Sequence, residues 1–307
     1  MIYDLIIIGG GPAGAAGAIY AARKRLKTLL VTYDFGGQSI VSENIENWIG
    51  TISIPGAELA NNLKKHIEAY KNELVEIKEG EKVTLIKQAD GALAVSTDAN
   101  GEYLGKAVLV AAGSGRRKLE ASGAERLEHK GLTYCASCDG PLFAGQDVAV
   151  IGGGNAAFET AAQLLAYCNS VTLLNRSEEF KADPIIVEKV LKNPKIKALR
   201  NTEIVEVKGG KFVEGLAFKD KSGVINELKV AGIFVEIGQI PNTSFVKDLL
   251  KLDKYNRIEI DPWTQKTSVP GIWAAGDSTN IKYHQNNIAA GDAVRAVEDI
   301  YVTLHAK

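Results

Sequence analysis

Cys135 and Cys138 stand three positions apart in the run CASCDG, with Asp139 directly behind them. Two thiols at that spacing can close a disulfide within a turn, and the geometry commonly lowers the pKa of the attacking sulfur. The other chemistry for such a pair is half of a zinc site, which needs two further ligands. The remaining Cys168 and the four histidines, His66, His129, His284 and His305, show no ligand spacing, so a redox pair is favoured and no metal is expected. Asp139 either shuttles a proton to and from the dithiol or caps a helix, and both roles remain open. Cys168 is expected to pack on the apolar face of a helix.

A second constellation is made of glycines. GGGPAG at 9 to 14 follows the apolar run DLIII and opens an alanine-rich stretch to about Arg25, after which Thr28 to Val31 reads as another strand. The pattern returns 143 residues downstream as DVAVI, GGGNAA at 152 to 157, a helix to about Tyr167 and VTLL at 171 to 174. Strand, glycine turn, helix, strand is the unit that seats a dinucleotide pyrophosphate on a helix N-terminus. Gly9, Gly11 and Gly14 permit the tight turn, the approach of a phosphate and the packing of helix on strand respectively. Gly152 and Gly154 repeat the first two roles, and Ala157 is a tolerated substitute for the third. One such turn is a weak signal, since glycine turns follow strands in many folds, but two in one chain are much stronger.

The fingerprint expects an acidic residue about 20 positions on, to accept a ribose hydroxyl. The first unit offers Thr32, Tyr33 and a late Asp34, and the second offers Asn175 followed by Arg176. A carboxylate there would repel a 2′-phosphate, whereas Arg176 and Lys181 could bind one, so NADPH is favoured over NADH. Glu178 and Glu179 oppose that preference, and the alternative is a solvated loop.

Elements must hold these groups in place. Strands are expected at 83 to 97, at 107 to 112 and through 202 to 237, with Gly113 to Gly115 and GQIPNT at 238 to 243 as glycine-rich crossings. WAAGDST places Gly276 and Asp277 at the end of a strand, where the carboxylate could accept from a polyol or ribose or simply make a turn. A last helix opens near Gln285, and its positive end could face a flavin.

The chain has 307 residues, more than one core usually serves, so two domains are expected. With 36 basic and 37 acidic residues the net charge is -1, and neither nucleic acid nor an anionic membrane is implied as a partner. Residues 5 to 22 carry no charge, but five glycines and Pro12 interrupt them, so a strand, turn and helix are expected instead of a membrane span. No basic region precedes that run, and a secretory signal is not expected. Together these features imply a cytoplasmic protein.

Taken in order, GGGPAGAAGAIYAAR, GGQ at 36 to 38, ENWIG at 46 to 50, CASCDG, GGGNAA, IGQIPNT and WAAGDST resemble the low-molecular-weight thioredoxin reductases. The flavoprotein component of alkyl hydroperoxide reductase shares this core and is similar around KADP at 181 to 184 and AGIFVEIG at 231 to 238. That component carries an additional N-terminal module, which this chain is expected to lack.

The resemblance implies an α/β protein of two Rossmann-like three-layer domains. An FAD domain would span 1–114 and 244–307, interrupted by an NAD(P)H domain at 115–243 that holds the cysteines. On the FAD side it implies Gly9, Gly11, Pro12, Ala13, Gly14, Gly37, Gln38 and Asn47. To these it adds Val83, Ala112, Gly113, Gly276, Asp277, His284, Gln285 and Asn286. On the nucleotide side it implies Gly152, Gly154, Asn155, Ala156, Asn175, Arg176 and Lys181. Cys138 would face the flavin, Cys135 the partner, and Asp139 would be the acid. The partner implied is a thioredoxin-like protein disulfide, and the oligomer a homodimer.

The chain departs from the family at its two-arginine 2′-phosphate motif, represented here by Asn175, Arg176, Ser177 and Lys181, and His284 stands where an arginine is common. The electron donor is therefore the open point. The implied activity is a thioredoxin-disulfide reductase passing electrons from NAD(P)H through flavin to Cys135 and Cys138. The sulfurs must meet flavin and partner in turn, so the domains should rotate about the two crossings. Competing readings are a flavin-dependent NAD(P)H oxidase, a ferredoxin-type electron transferase, a flavin-binding sensor without turnover, or a reductase of this fold with another donor.

Overall fold

The computed structural model describes residues 1–42, 45–71 and 74–305. The chain divides into two compact units, one made of Met1–Gly115 with Ile240–Lys307, the other of Arg116–Gln239. In chain order the first unit contains β1 (Ile2–Gly10), α1 (Pro12–Arg23), β2 (Thr28–Phe35), α2 (Gly56–Glu68) and β3 (Val75–Glu79). It continues with β4 (Val83–Ala89), β5 (Ala92–Thr97) and β6 (Glu102–Val110), and β7 (Ser114–Arg116) makes the crossing. The second unit contains α3 (Ala124–Leu127), β8 (Leu132–Thr133), α4 (Ala136–Asp139), β9 (Asp147–Ile151), α5 (Asn155–Leu164), β10 (Ser170–Leu174) and α6 (Pro184–Leu191). β11 (Ile196–Leu199), β12 (Glu203–Lys208), β13 (Gly215–Lys219), β14 (Ile225–Leu228) and β15 (Gly232–Val235) complete it. The chain returns through β16 (Gln239–Pro241) and ends with β17 (Ile272–Ala274) and α7 (Asn286–His305).

In the first unit the strands lie in the order β3, β2, β1, β6, β5, β4, and β17 pairs with the far end of β6. The β3, β2, β1, β6 and β17 pairings are parallel, while β4 and β5 add an antiparallel arm. β1 is apolar on both faces because both are covered. Leu5 and Ile7 join α1 and α7 in one core, and Ile6 and Ile8 join Ile86, Val95 and Ile258 in another. The uncharged run at 5 to 22 is therefore a buried strand, a turn and a helix. Among the described residues no helix is long and apolar enough to cross a membrane.

The second unit repeats the plan. Its five-stranded parallel sheet runs β11, β10, β9, β15, β8. Val148 and Val150 of β9 face α5 and α6, while Ala149 and Ile151 face the core shared with the antiparallel sheet of β12, β13 and β14. Each unit is thus a layered α/β fold with a glycine turn at the end of its first central strand.

The crossings pair with each other, β7 against β16. On one side Asn242 donates its backbone N–H to the Gly113 carbonyl at 3.0 Å, and on the other Arg117 donates to Gly238, also at 3.0 Å.

Candidate functional site

In the first unit the turn from β1 to α1 leaves the N-terminus of α1 without a side-chain cap. Pro12 at the first helical position gives up an N–H that has no partner there in any case. Gly9 has φ +114°, and a Cβ there would meet the Ala111 carbonyl. A Cβ on Gly11 would meet only the Gly37 backbone, at 3.8 Å, so space remains above the helix end. Orphan backbone N–H groups, a helix dipole and room for phosphate oxygens make a site suited to a pyrophosphate.

Other side chains expected at this site gather around the same helix ends. Gln38 donates to Ser114 Oγ at 3.1 Å and to Asp277 Oδ2 at 3.3 Å. Ser39 donates to Asn286 Oδ1 at 2.9 Å, and Asn47 donates to Gln285 Oε1 at 3.1 Å. Asn287 donates to the Asn47 carbonyl at 2.7 Å, which fastens the 45 to 50 loop to the start of α7. Gly276 sits between Ala13 and Ala289. The Ala112 and Gly113 carbonyls both accept from Asn242. His284 keeps to its own loop, with Nε2 3.0 Å from the Ile281 carbonyl. Val83 heads β4 and packs into the core on the face of the sheet away from α1.

The residues that sequence reasoning did not single out here are Ser39, Asn287 and Asp292. The only signal for Ser39 and Asn287 was the polar groups in QSI and QNN, and nothing local pointed to Asp292. Asp292 in α7 is 3 % exposed and pairs with Arg295 at 3.2 Å. Burial pushes its carboxyl up, opposed by Arg295 and by the Gly276 N–H.

In the second unit α5 likewise starts without a side-chain cap, and nothing lies within 4 Å of a Cβ placed on Gly154. Asn155 and Ala156 form its first turn, and Asn155 Oδ1 accepts the Asp183 N–H at 2.7 Å. Lys181 donates its backbone N–H to the Gly153 carbonyl at 2.7 Å, so the KADP segment braces the glycine turn. Asn175 is a bracing residue too: its amide donates to the Ser177 and Glu179 carbonyls at 2.8 and 2.9 Å. Arg176 lines an open groove of about 390 Å³ with Asn201, Glu203, Lys219, Asp220 and Lys221. Lys219 and Lys221 come from the tip of the β13–β14 hairpin; only the basic run KDKSG hinted at them.

Cys135 and Cys138 form a disulfide, with Cα atoms 5.3 Å apart, so both sulfurs are engaged with each other. Among the described residues no cluster of three metal-ligating side chains is present. Cys135 caps α4, its sulfur accepting the Cys138 N–H at 3.2 Å. Asp139 caps nothing; its carboxyl instead receives the Thr133 hydroxyl. Burial pushes this carboxyl up, opposed by the Thr133 hydrogen bond and by His129. Cys168 lies beyond the end of α5, not on its face, and is buried in the same core.

The sequence matches the Pyridine nucleotide-disulphide oxidoreductase family over residues 3–291. The chain belongs to that family. Among curated relatives it is 38% identical over 296 residues to the F component of alkyl hydroperoxide reductase of Escherichia coli (strain K12), covering 96% of this chain and 57% of that protein. It is 40% identical over 295 residues to the protein of the same name in Staphylococcus aureus (strain MRSA252), with the same two shares. The chain therefore spans 57% of the length of these relatives. Among solved structures, thioredoxin reductase from Streptococcus pyogenes MGAS5005 matches with a TM-score of 0.92 and 32% identity, covering 100% of this chain and 99% of that one. Thioredoxin reductase from Giardia duodenalis matches at 0.93 and 31%, covering 99% of each. Membership in the pyridine nucleotide-disulphide oxidoreductases implies FAD and a nicotinamide nucleotide, and the two uncapped glycine turns could hold one dinucleotide each.

Proposed function

We propose that this chain is an FAD-dependent disulfide reductase. It would pass electrons from a reduced nicotinamide nucleotide to the Cys135–Cys138 disulfide and on to a disulfide in a thioredoxin-like protein. The observation that carries this reading is the disulfide itself, closed one residue before a half-buried acid, in the unit that also holds a dinucleotide turn. Domain boundaries near Gly115 and Ile240 would then separate an FAD domain from an NAD(P)H domain.

FAD would lie on the α1 N-terminus, with Gln38, Asn47 and Asp277 nearby, and it supplies a group that can accept hydride and reduce a disulfide. The chain's own residues do the rest. The uncapped end of α1 offers N–H groups to the pyrophosphate, and Asp277 offers an acceptor to the sugar chain. Asp139, kept protonated by burial to a higher pH than usual, holds a proton for a sulfur released from the disulfide. Partner reduction is a thiol–disulfide exchange: one thiolate attacks the partner's disulfide, a mixed disulfide forms, and the second thiol resolves it. The sulfur pair must face flavin in one step and a protein in another, and the paired crossings β7 and β16 are where the chain would turn.

NADPH is the proposed donor. Asn175 offers no carboxylate to repel a 2′-phosphate, and Arg176 shares its groove with Lys219 and Lys221. A second reading concerns the partner: both relatives named above are components of an alkyl hydroperoxide reductase, which supports a protein of hydroperoxide reduction as the alternative to thioredoxin. A cytoplasmic homodimer is the proposed setting.

Anaerobic titration of the purified yellow protein with NADPH and NADH decides the donor by flavin bleaching. Adding a thioredoxin or a peroxiredoxin-type disulfide protein then decides the partner by thiol release. Cys138→Ser should keep flavin reduction and lose thiol transfer. Undiminished transfer by that variant would leave an oxidase or another electron transferase as the better description.

A further inference from the structure

Thr133 ends β8, which runs alongside β15 with Thr133 opposite Phe234. At 4 % exposure its hydroxyl has little access to water. A hydroxyl has one proton to give and two lone pairs. The proton goes to Asp139 Oδ2, and a lone pair accepts the Cys135 N–H at 3.3 Å. Cys135 closes the loop from its own side, since its carbonyl accepts the Asp139 N–H at 3.1 Å. One side chain on a sheet strand thus ties the acid to the first residue of the cysteine turn. Among the described residues it is the one side chain that donates to this carboxyl.

We propose that Thr133 is a positioning residue for proton delivery, its hydroxyl anchoring the Asp139 carboxyl on the cysteine turn and easing release of the carboxyl's proton. This rests on Asp139 being the acid, as put forward above. When two electrons enter the disulfide, the S–S bond breaks and two thiolates result. Protonated Asp139 gives its proton to one of them, leaving one thiol, one thiolate and an Asp139 carboxylate. The electrons come from the reduced flavin in turnover. A hydrogen bond donated to the carboxylate stabilises the form left after transfer, against the burial that disfavours it. Among the described residues the other titratable group acting on Asp139 is His129, from the loop before β8, while the Tyr167 hydroxyl lies against Gly140, next in the chain. His129 also favours the charged form, and Thr133 adds direction, because its own position is fixed by the sheet.

The test is an infrared titration of the oxidised flavoprotein, following the protonated carboxyl band that disappears in Asp139→Asn. Thr133→Val, which removes the hydroxyl and keeps the shape, should move this titration upward by about one pH unit, the worth of one hydrogen bond to a charged group. Thr133→Ser should keep it within a few tenths of a unit of the parent, for the same reason. If valine disturbs the fold, Thr133→Ala removes the same hydroxyl and should shift the band in the same direction. An unmoved titration in a hydroxyl-free variant that melts like the parent overturns the proposal, as does a serine variant that shifts as far as valine. Rapid-mixing thiol release by Asp139→Asn tests the acid role separately. Release at the parent rate removes that role, while the infrared shift still reports whether Thr133 anchors the carboxyl.

Discussion

Gly14 in α1 lies so close to the carbonyl of Gly9 that a Cβ on it would collide with that oxygen. The second unit solves the same problem differently: Ala157 occupies the matching place and is fully buried, its methyl 3.1 Å from where a Cβ on Gly152 would stand. Helix and strand are therefore closer in the first turn than in the second. Gly14→Ala should force the α1 N-terminus away from β1 and cost about 1 to 3 kcal/mol as overpacking, with loss of bound flavin. Ala157→Gly should cost about 0.5 to 1 kcal/mol through helix propensity. Thermal melts and the flavin-to-protein absorbance ratio check both, and equal effects of the two changes would contradict the difference in spacing.

Asp277 accepts from Gln38 at the end of the turn after β17. If it also accepts from the flavin's sugar chain, Asp277→Ala removes a charge-assisted hydrogen bond worth about 1.5 to 3 kcal/mol. That corresponds to roughly 10- to 100-fold weaker FAD binding. Equilibrium dialysis of the released flavin gives the number, and affinity within twofold of the parent would remove Asp277 from the site.

Much of this arrangement was legible because glycine turns and a CxxC announce themselves by local spacing. The strand, turn and helix at Ile2–Arg23 and at Asp147–Leu164 follow from an apolar run ending in glycines. What could not be read is what side chains choose once they are brought together. The brace that Asn175 makes across its turn is one example, because its amide reaches two carbonyls only after β10 has ended beside them. Capping was the other role open to Asp139, and the carboxyl instead takes the hydroxyl of Thr133, six residues earlier. Lys219 and Lys221 enter Arg176's groove from a hairpin more than 40 residues away, a juxtaposition that no local pattern encodes.

That groove makes a sharp prediction about the donor. Arg176→Ala should weaken NADPH binding about tenfold, the worth of one charge-assisted contact, and leave NADH nearly unchanged. The Lys219→Ala and Lys221→Ala pair should act in the same direction and steepen no further with NADH. Stopped-flow flavin reduction over a range of each nucleotide separates the two donors. A parallel loss for both would mean that the groove serves the shared adenosine half and not the 2′-phosphate.

Glu236 follows β15 with its side chain 9% exposed, accepting from Thr160 at 2.9 Å and 3.9 Å from Arg116. Burial pushes its carboxyl up, with Arg116 and the Thr160 bond opposing. For an acid whose folded pKa is raised, the folded chain holds the proton more tightly than the unfolded chain. Its contribution is therefore most favourable below the ordinary carboxylate value, near 4.3, and is lost as pH rises from there through the folded value. Glu236→Gln cannot ionise and escapes that loss, at about 1.4 kcal/mol for each unit by which the folded pKa is raised. Its amide oxygen can still accept from Thr160. The variant's melting temperature, measured by calorimetry relative to the parent, should accordingly rise as pH increases from about 4, and level off once the raised folded value has been passed. A difference that is constant across that range, or that falls, would mean that Arg116 compensates the buried charge fully at 3.9 Å.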